Sequence, residues 1–103
     1  MEKLLNQLKE IVRCGKSYKG IHDKLYNRVE RYNKTSETRY FIVDECGFWR
    51  NSEIVEQTDF YLYTSEGKEA EIGEMYEVNG KKASYKEASD AFELEVWGYK
   101  REY

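Results

Sequence analysis

The stretch Met75-Tyr76-Glu77-Val78-Asn79-Gly80-Lys81-Lys82-Ala83-Ser84-Tyr85-Lys86-Glu87 decides the fold, because two signals of different kind meet in it. Met75, Tyr76 and Val78 lead into Asn79-Gly80, a dipeptide that readily takes the left-handed conformations of a tight hairpin turn, so Lys81–Ala83 reads as the returning strand. Directly after it, Ser84 stands three places before Glu87, the spacing in which each side chain satisfies an orphan amide at a helix start. A hairpin that feeds into a capped helix implies an antiparallel sheet with a helix attached, an α+β chain.

Working outward toward the N-terminus, Glu71–Val78 alternates poorly in its first half, while Asp59–Thr64 is aromatic enough for a strand, closed by the Ser65, Glu66, Gly67, Lys68 cluster. Arg39–Val43 crowds β-branched and aromatic residues and predicts another strand, Asp44–Gly47 reads as a turn, and Ser52–Glu56 has no decisive pattern. Before Thr38 the period is helical. Leu4, Leu5, Leu8, Ile11 and Val12 form one stripe over Glu2–Cys14, with Gly15 placed to end that helix in a left-handed conformation. Ile21, Leu25, Val29 and Tyr32 repeat the pattern and run into the polar Asn33–Thr38 stretch. Toward the C-terminus a short helix is expected over Tyr85–Ala91, followed by a half-buried strand, since Phe92, Leu94 and Val96 alternate with Glu93 and Glu95 and lead on to Trp97 and Tyr99. The expected architecture is therefore one domain over residues 1–103: two N-terminal helices packed on a mostly antiparallel sheet of four to five strands, with one short helix near the C-terminus.

Composition bounds the function classes. The 16% aromatic content, with ten tyrosines, supplies area for a core and argues against disorder, while the 36% of charged residues demands a densely charged surface. No apolar run is long enough to cross a bilayer, and charged residues alternate through Met1–Arg13, so a cytoplasmic protein without membrane contact is expected. Cys14 and Cys46 have no CxxC spacing and read as reduced thiols. One histidine and two scattered cysteines cannot fill a structural zinc site, the carboxylates lack calcium-loop spacing, and there is no phosphate-binding glycine loop, so neither metal nor cofactor is expected.

Charge is divided along the chain. Residues 1–40 carry ten Lys and Arg against five Asp and Glu, an excess of five positive charges; the remainder carries seven against fifteen, an excess of eight negative ones. A basic helical layer against an acidic sheet makes a molecular dipole suited to a charged partner. On the basic side Lys24, Arg28 and Arg31 share one face of the second helix, with Tyr18 and Tyr26 interleaved in sequence, a combination that could neutralise phosphates and stack on unpaired bases. A charged helix face with Tyr26 packed on a neighbouring element accounts for the same residues. On the acidic side Glu71, Glu74 and Glu77 fall in a carboxylate-rich strand, beside Tyr61 and Tyr63, which alternate with Phe60 and Leu62 and so point to the opposite face. Tyrosines there are suited to a protein contact. An exposed strand edge could also support a homodimer. His22, followed by Asp23, has no partner at the spacing of a known catalytic motif, so no catalytic residue is assigned and a non-enzymatic protein is expected.

The passage Tyr76, Glu77, Val78, Asn79, Gly80, Lys81, then Ser84, Tyr85, Lys86, Glu87, Ala88 and Ala91, is similar to the strand, turn and capped-helix segment of many small phage and mobile-element proteins. With the small size, the richness in Tyr, Glu and Lys and the absence of proline, the chain resembles the compact α+β anti-CRISPR proteins. The resemblance implies a stoichiometric inhibitor that binds a host defence nucleoprotein complex. The residues themselves also admit a small RNA or single-strand-binding module built on the basic helix.

Overall fold

The computed structural model describes residues 2–49 and 52–98, without the side chains of Phe48 and Trp97. Its elements run α1 (Glu2–Cys14), α2 (Tyr18–Asn33), β1 (Phe41–Phe48), β2 (Val55–Thr64), β3 (Gly67–Val78), β4 (Lys81–Ala83) and α3 (Tyr85–Trp97). The four strands form one antiparallel sheet in the order β1-β2-β3-β4. The expected α+β architecture is thus the observed one.

Both N-terminal helices lie on one face of this sheet. Leu4, Leu8 and Val12 from α1 and Ile21, Leu25 and Val29 from α2 bury their stripes against Ile42, Phe60, Leu62, Ile72 and Met75. Burying each of these side chains is worth about 1.5–3 kcal/mol, which makes this cluster the main source of stability. A smaller cluster lies on the other face, at the opposite end of the strands, where α3 sets Ala88 and Phe92 against Val55 and Tyr76. One face of the sheet is therefore covered by two helices and the other only partly, by one.

Two bulges shape the long strand β3. Pairing with β2 slips between Phe60 and Tyr61, leaving Ile72 as the extra residue, and again between Leu62 and Tyr63, leaving Glu69. The first slip turns Ile72 into the helix-covered core and brings Glu71 opposite Tyr61. This explains the poor alternation of Glu71–Val78. The hairpin turn at Asn79-Gly80 has positive φ at both residues, 54° and 80°, the geometry the dipeptide predicts. Ser84 and Glu87 complete the capping box, with both reciprocal bonds formed.

Three expectations are corrected. Asp44–Gly47 is not a turn: all four residues pair with β2, and the Asp44 carboxylate accepts a hydrogen bond from the Tyr18 hydroxyl, so a distant helix anchors a stretch whose local chemistry favours a bend. The segment Phe92–Val96 is not a strand but the second half of α3, since Ala88 and Phe92 bury at a spacing of four while Leu94 and Val96 stay about half exposed. Helix α3 ends at Gly98, in the left-handed conformation, with its amide bonded to the Leu94 carbonyl. Gly15, by contrast, does not have a positive φ. It is required for space: a Cβ there would lie 2.1 Å from Cγ1 of the buried Ile21. The indecisive Ser52–Glu56 resolves into a bend followed by the start of β2 at Val55. Tyr99, which the strand reading included, lies outside the described residues.

Candidate functional site

Residues paired across antiparallel strands project to the same face, and the register therefore lays out the part of the sheet that α3 leaves uncovered as three rows. Phe41, Tyr63 and Lys68 form the first, and Val43, Tyr61 and Glu71 the second. The third is Glu45, Asp59 and Glu74. Beyond it Gln57 and Tyr76 begin the region against which α3 packs.

The first two rows are aromatic. Phe41 is 45% exposed and its ring lies 6.0 Å from that of Tyr63, which in turn meets Tyr61 edge-on at 6.5 Å. Lys68 extends its ammonium over the Tyr61 ring, 5.0 Å from the centroid, and reaches the Glu71 carboxylate at 4.0 Å. The third row is made only of carboxylates, an arrangement in which directly opposed like charges work against sheet stability. Among the described residues no cation pairs with any of the three. Gln57 donates from its amide to Asp59 at 3.1 Å and to Glu74 at 3.2 Å, and is itself held by the Trp49 indole N–H at 2.9 Å. Asp59, Tyr61, Glu71 and Glu74 line a depression of about 340 Å³ between the second and third rows. The Tyr61 phenol is pushed up from its ordinary pKa first by desolvation and then by the charges of Asp59, Glu45 and Glu71, which marks the negative field over this face.

The sequence-predicted acidic set is thus split. Tyr61, Tyr63, Glu71 and Glu74 share the open face, whereas Glu77 pairs with Glu56 and Lys82 and projects to the helix-covered side. Lys82 is committed there, donating from Nζ to the carbonyls of Val12, Arg13 and Gly15 at 2.7–3.0 Å and so capping the end of α1.

No protein-family model, curated protein or solved structure matches this chain.

The basic set is split as well. Lys24 and Arg31 are exposed, but Arg28 donates from Nε to Gln7 of α1 at 2.6 Å and serves the helix-helix contact. Tyr18 and Tyr26, eight residues apart, belong to another stripe of α2 that faces β1. The Tyr18 ring stacks on Phe60 and its hydroxyl is held by Asp44, while Tyr26 donates to the Ile42 carbonyl at 3.2 Å. At about 100° per residue the tyrosine stripe and the Lys24, Arg28, Arg31 stripe lie roughly half a turn apart on α2, so interleaving in sequence does not become one surface. His22 sits between the two tyrosines, its ring 4.3 Å from that of Tyr26 and 5.7 Å from that of Tyr18. Both cysteines are free and exposed. No described helix is long and apolar enough to cross a membrane.

Phe41, Val43, Glu45, Asp59 and Lys68 complete the open face without having been singled out from the sequence. Asp59 follows from Tyr61 and Tyr63 by alternation along β2, whereas only the register of β1 and β3 against β2 reveals the other four, and that register depends on bulges and a connection with no local signature.

Proposed function

We propose that this chain is a non-enzymatic binding domain that acts by occupying a surface of a protein partner, with the open face of its sheet as the contact. The observation that carries this reading is the cluster of Phe41, Tyr61 and Tyr63 left uncovered opposite a fully packed helical layer. Tyrosine rings covering large area with few rotatable bonds are the usual anchors of such contacts. The resemblance to anti-CRISPR proteins extends the proposal to a stoichiometric inhibitor, encoded by a phage or mobile element and working in the host cytoplasm on a nucleoprotein complex. A nucleic-acid module on α2 draws less support, because Tyr18, Tyr26 and Arg28 are engaged within the fold. Catalysis at His22 draws less still, since Arg28 and Arg31 lie on the other side of the helix.

The test is affinity capture of the partner from nuclease-treated host extract, comparing the wild-type chain with Tyr61→Arg/Tyr63→Arg and with Lys24→Glu/Arg31→Glu. A partner that survives nuclease, is lost with the tyrosine variant and is kept by the charge-reversed one is the expected result. Loss of capture on nuclease treatment, or in the Lys24→Glu/Arg31→Glu variant alone, would transfer the function to α2.

A further inference from the structure

The open face carries more information than its aromatic content, and the row Glu45, Asp59, Glu74 is where it lies. Three carboxylates opposed across neighbouring strands weaken the sheet that contains them. Yet Gln57, a neutral residue, is what bridges two of them, and no lysine or arginine is placed to neutralise the row among the described residues. One row away, Lys68 shows what a cation does on this surface: its ammonium lies over Tyr61 and beside Glu71. The depression between these rows offers the same pair of features, an aromatic wall at Tyr61 and carboxylates at Asp59, Glu71 and Glu74, with room left unfilled.

We propose that this depression takes an arginine side chain from a basic segment of the protein partner, its guanidinium stacked on Tyr61 and paired with the carboxylates of Asp59 and Glu74. This rests on the reading of the open face as a protein-contact surface and names the chemistry of its partner. A guanidinium fits the geometry better than an ammonium, since its plane can lie against the ring while its fork of N–H donors serves two carboxylates. It supplies the positive charge the third row lacks. Lys68, the resident cation, competes for Tyr61 and Glu71 and limits affinity until the partner displaces it.

An oligoarginine peptide is the probe, titrated into the whole chain by calorimetry and by backbone amide shifts, with oligolysine of equal length and a single-stranded oligonucleotide in parallel. Amide shifts should cluster at Val43, Asp59, Tyr61 and Glu74, and oligolysine should bind more weakly. Tyr61→Leu and Asp59→Asn should each weaken oligoarginine binding about tenfold, the loss of a cation–π contact or of a charge-assisted hydrogen bond, while Lys68→Met should tighten it. Asp59→Asn should also raise the urea midpoint, because it relieves the like-charge row; a residue kept for structure alone would lower it. Equal binding of oligolysine, shifts confined to other acidic positions, preference for the oligonucleotide, or unchanged affinity in Asp59→Asn would overturn the assignment. If oligoarginine fails to bind while capture of the protein partner still depends on Tyr61 and Tyr63, the arginine assignment falls and the open-face reading stands. If both fail, both fall.

Discussion

Tyr18 and Tyr76 hold their protons well above the ordinary tyrosine range. The Tyr18 phenol is pushed up to about 12 by its hydrogen bond to Asp44 and by burial, and Tyr76 to about 12 by burial first and by Glu74 second. The fold favours the protonated phenol in both, so their stabilisation is complete below the ordinary value of 10.0 and is lost as pH rises toward 12. Urea unfolding followed across the alkaline range should therefore show stability falling between these limits, less steeply in Tyr18→Phe; equal slopes would mean that Tyr18 titrates normally. Two further residues have sharply defined jobs. Gly15→Ala forces a methyl into Ile21 and should cost about 1–3 kcal/mol through overpacking. Lys82→Met removes the donor to the Val12, Arg13 and Gly15 carbonyls at the end of α1 and should cost about 1–2 kcal/mol, read from denaturant midpoints at unchanged m-value. Neither role was legible beforehand. Gly15 read as a helix terminator, and Lys82 as one charge among many, because both depend on what another segment brings near. Tyr61 and Tyr63 were legible as face-mates from strand alternation alone, which is a local property.

At the level of elements, the capping box and the hairpin turn follow from sequence neighbours and appear where they were expected. The fate of Phe92–Val96 was not legible, because alternation of Phe92, Leu94 and Val96 fits a strand and the decisive fact is distant: Tyr76 and Val55 accept Ala88 and Phe92 as a helical pair. Helix α3 is held at its two ends by carboxylates whose pKa values are lowered. Glu87 is held down by the Ser84 amide and hydroxyl, and Glu95 by the Ser52 hydroxyl and the Glu53 amide. Both contribute above the ordinary carboxylate range and lose that contribution as pH falls through their depressed values. Hydrogen exchange in acid should show α3 amides losing protection before those of α1 and β2. Ser84→Ala, at a cost of about 1 kcal/mol for the lost cap, should bring that loss to higher pH; simultaneous exchange throughout the chain would refute the idea of a separately held helix.

For the whole molecule, two unequal cores set the response to damage. Phe60 is fully buried between both N-terminal helices and the sheet, so Phe60→Ala should cost about 3–5 kcal/mol, a large share of the 5–15 kcal/mol typical of a domain. Phe92→Ala empties only the smaller cluster and should release α3 while leaving the main unfolding transition near its original midpoint. Urea titrations followed both by far-ultraviolet circular dichroism and by NMR of the main core separate the cases: one coincident transition in Phe92→Ala would show the two clusters to be a single unit.

The partition of the chain has a further consequence. Among the described residues, α1 and α2 precede the mostly exposed 34–39 connection, the sheet and α3 follow it, and the two parts meet across one interface that Lys82 crosses to reach α1. The helical piece is positively charged and the sheet piece negatively charged. The peptide link between them therefore acts chiefly by holding two complementary fragments at high effective concentration. A chain cleaved within that connection has the makings of a split protein, whose halves find each other by charge and reassemble by burying the same core.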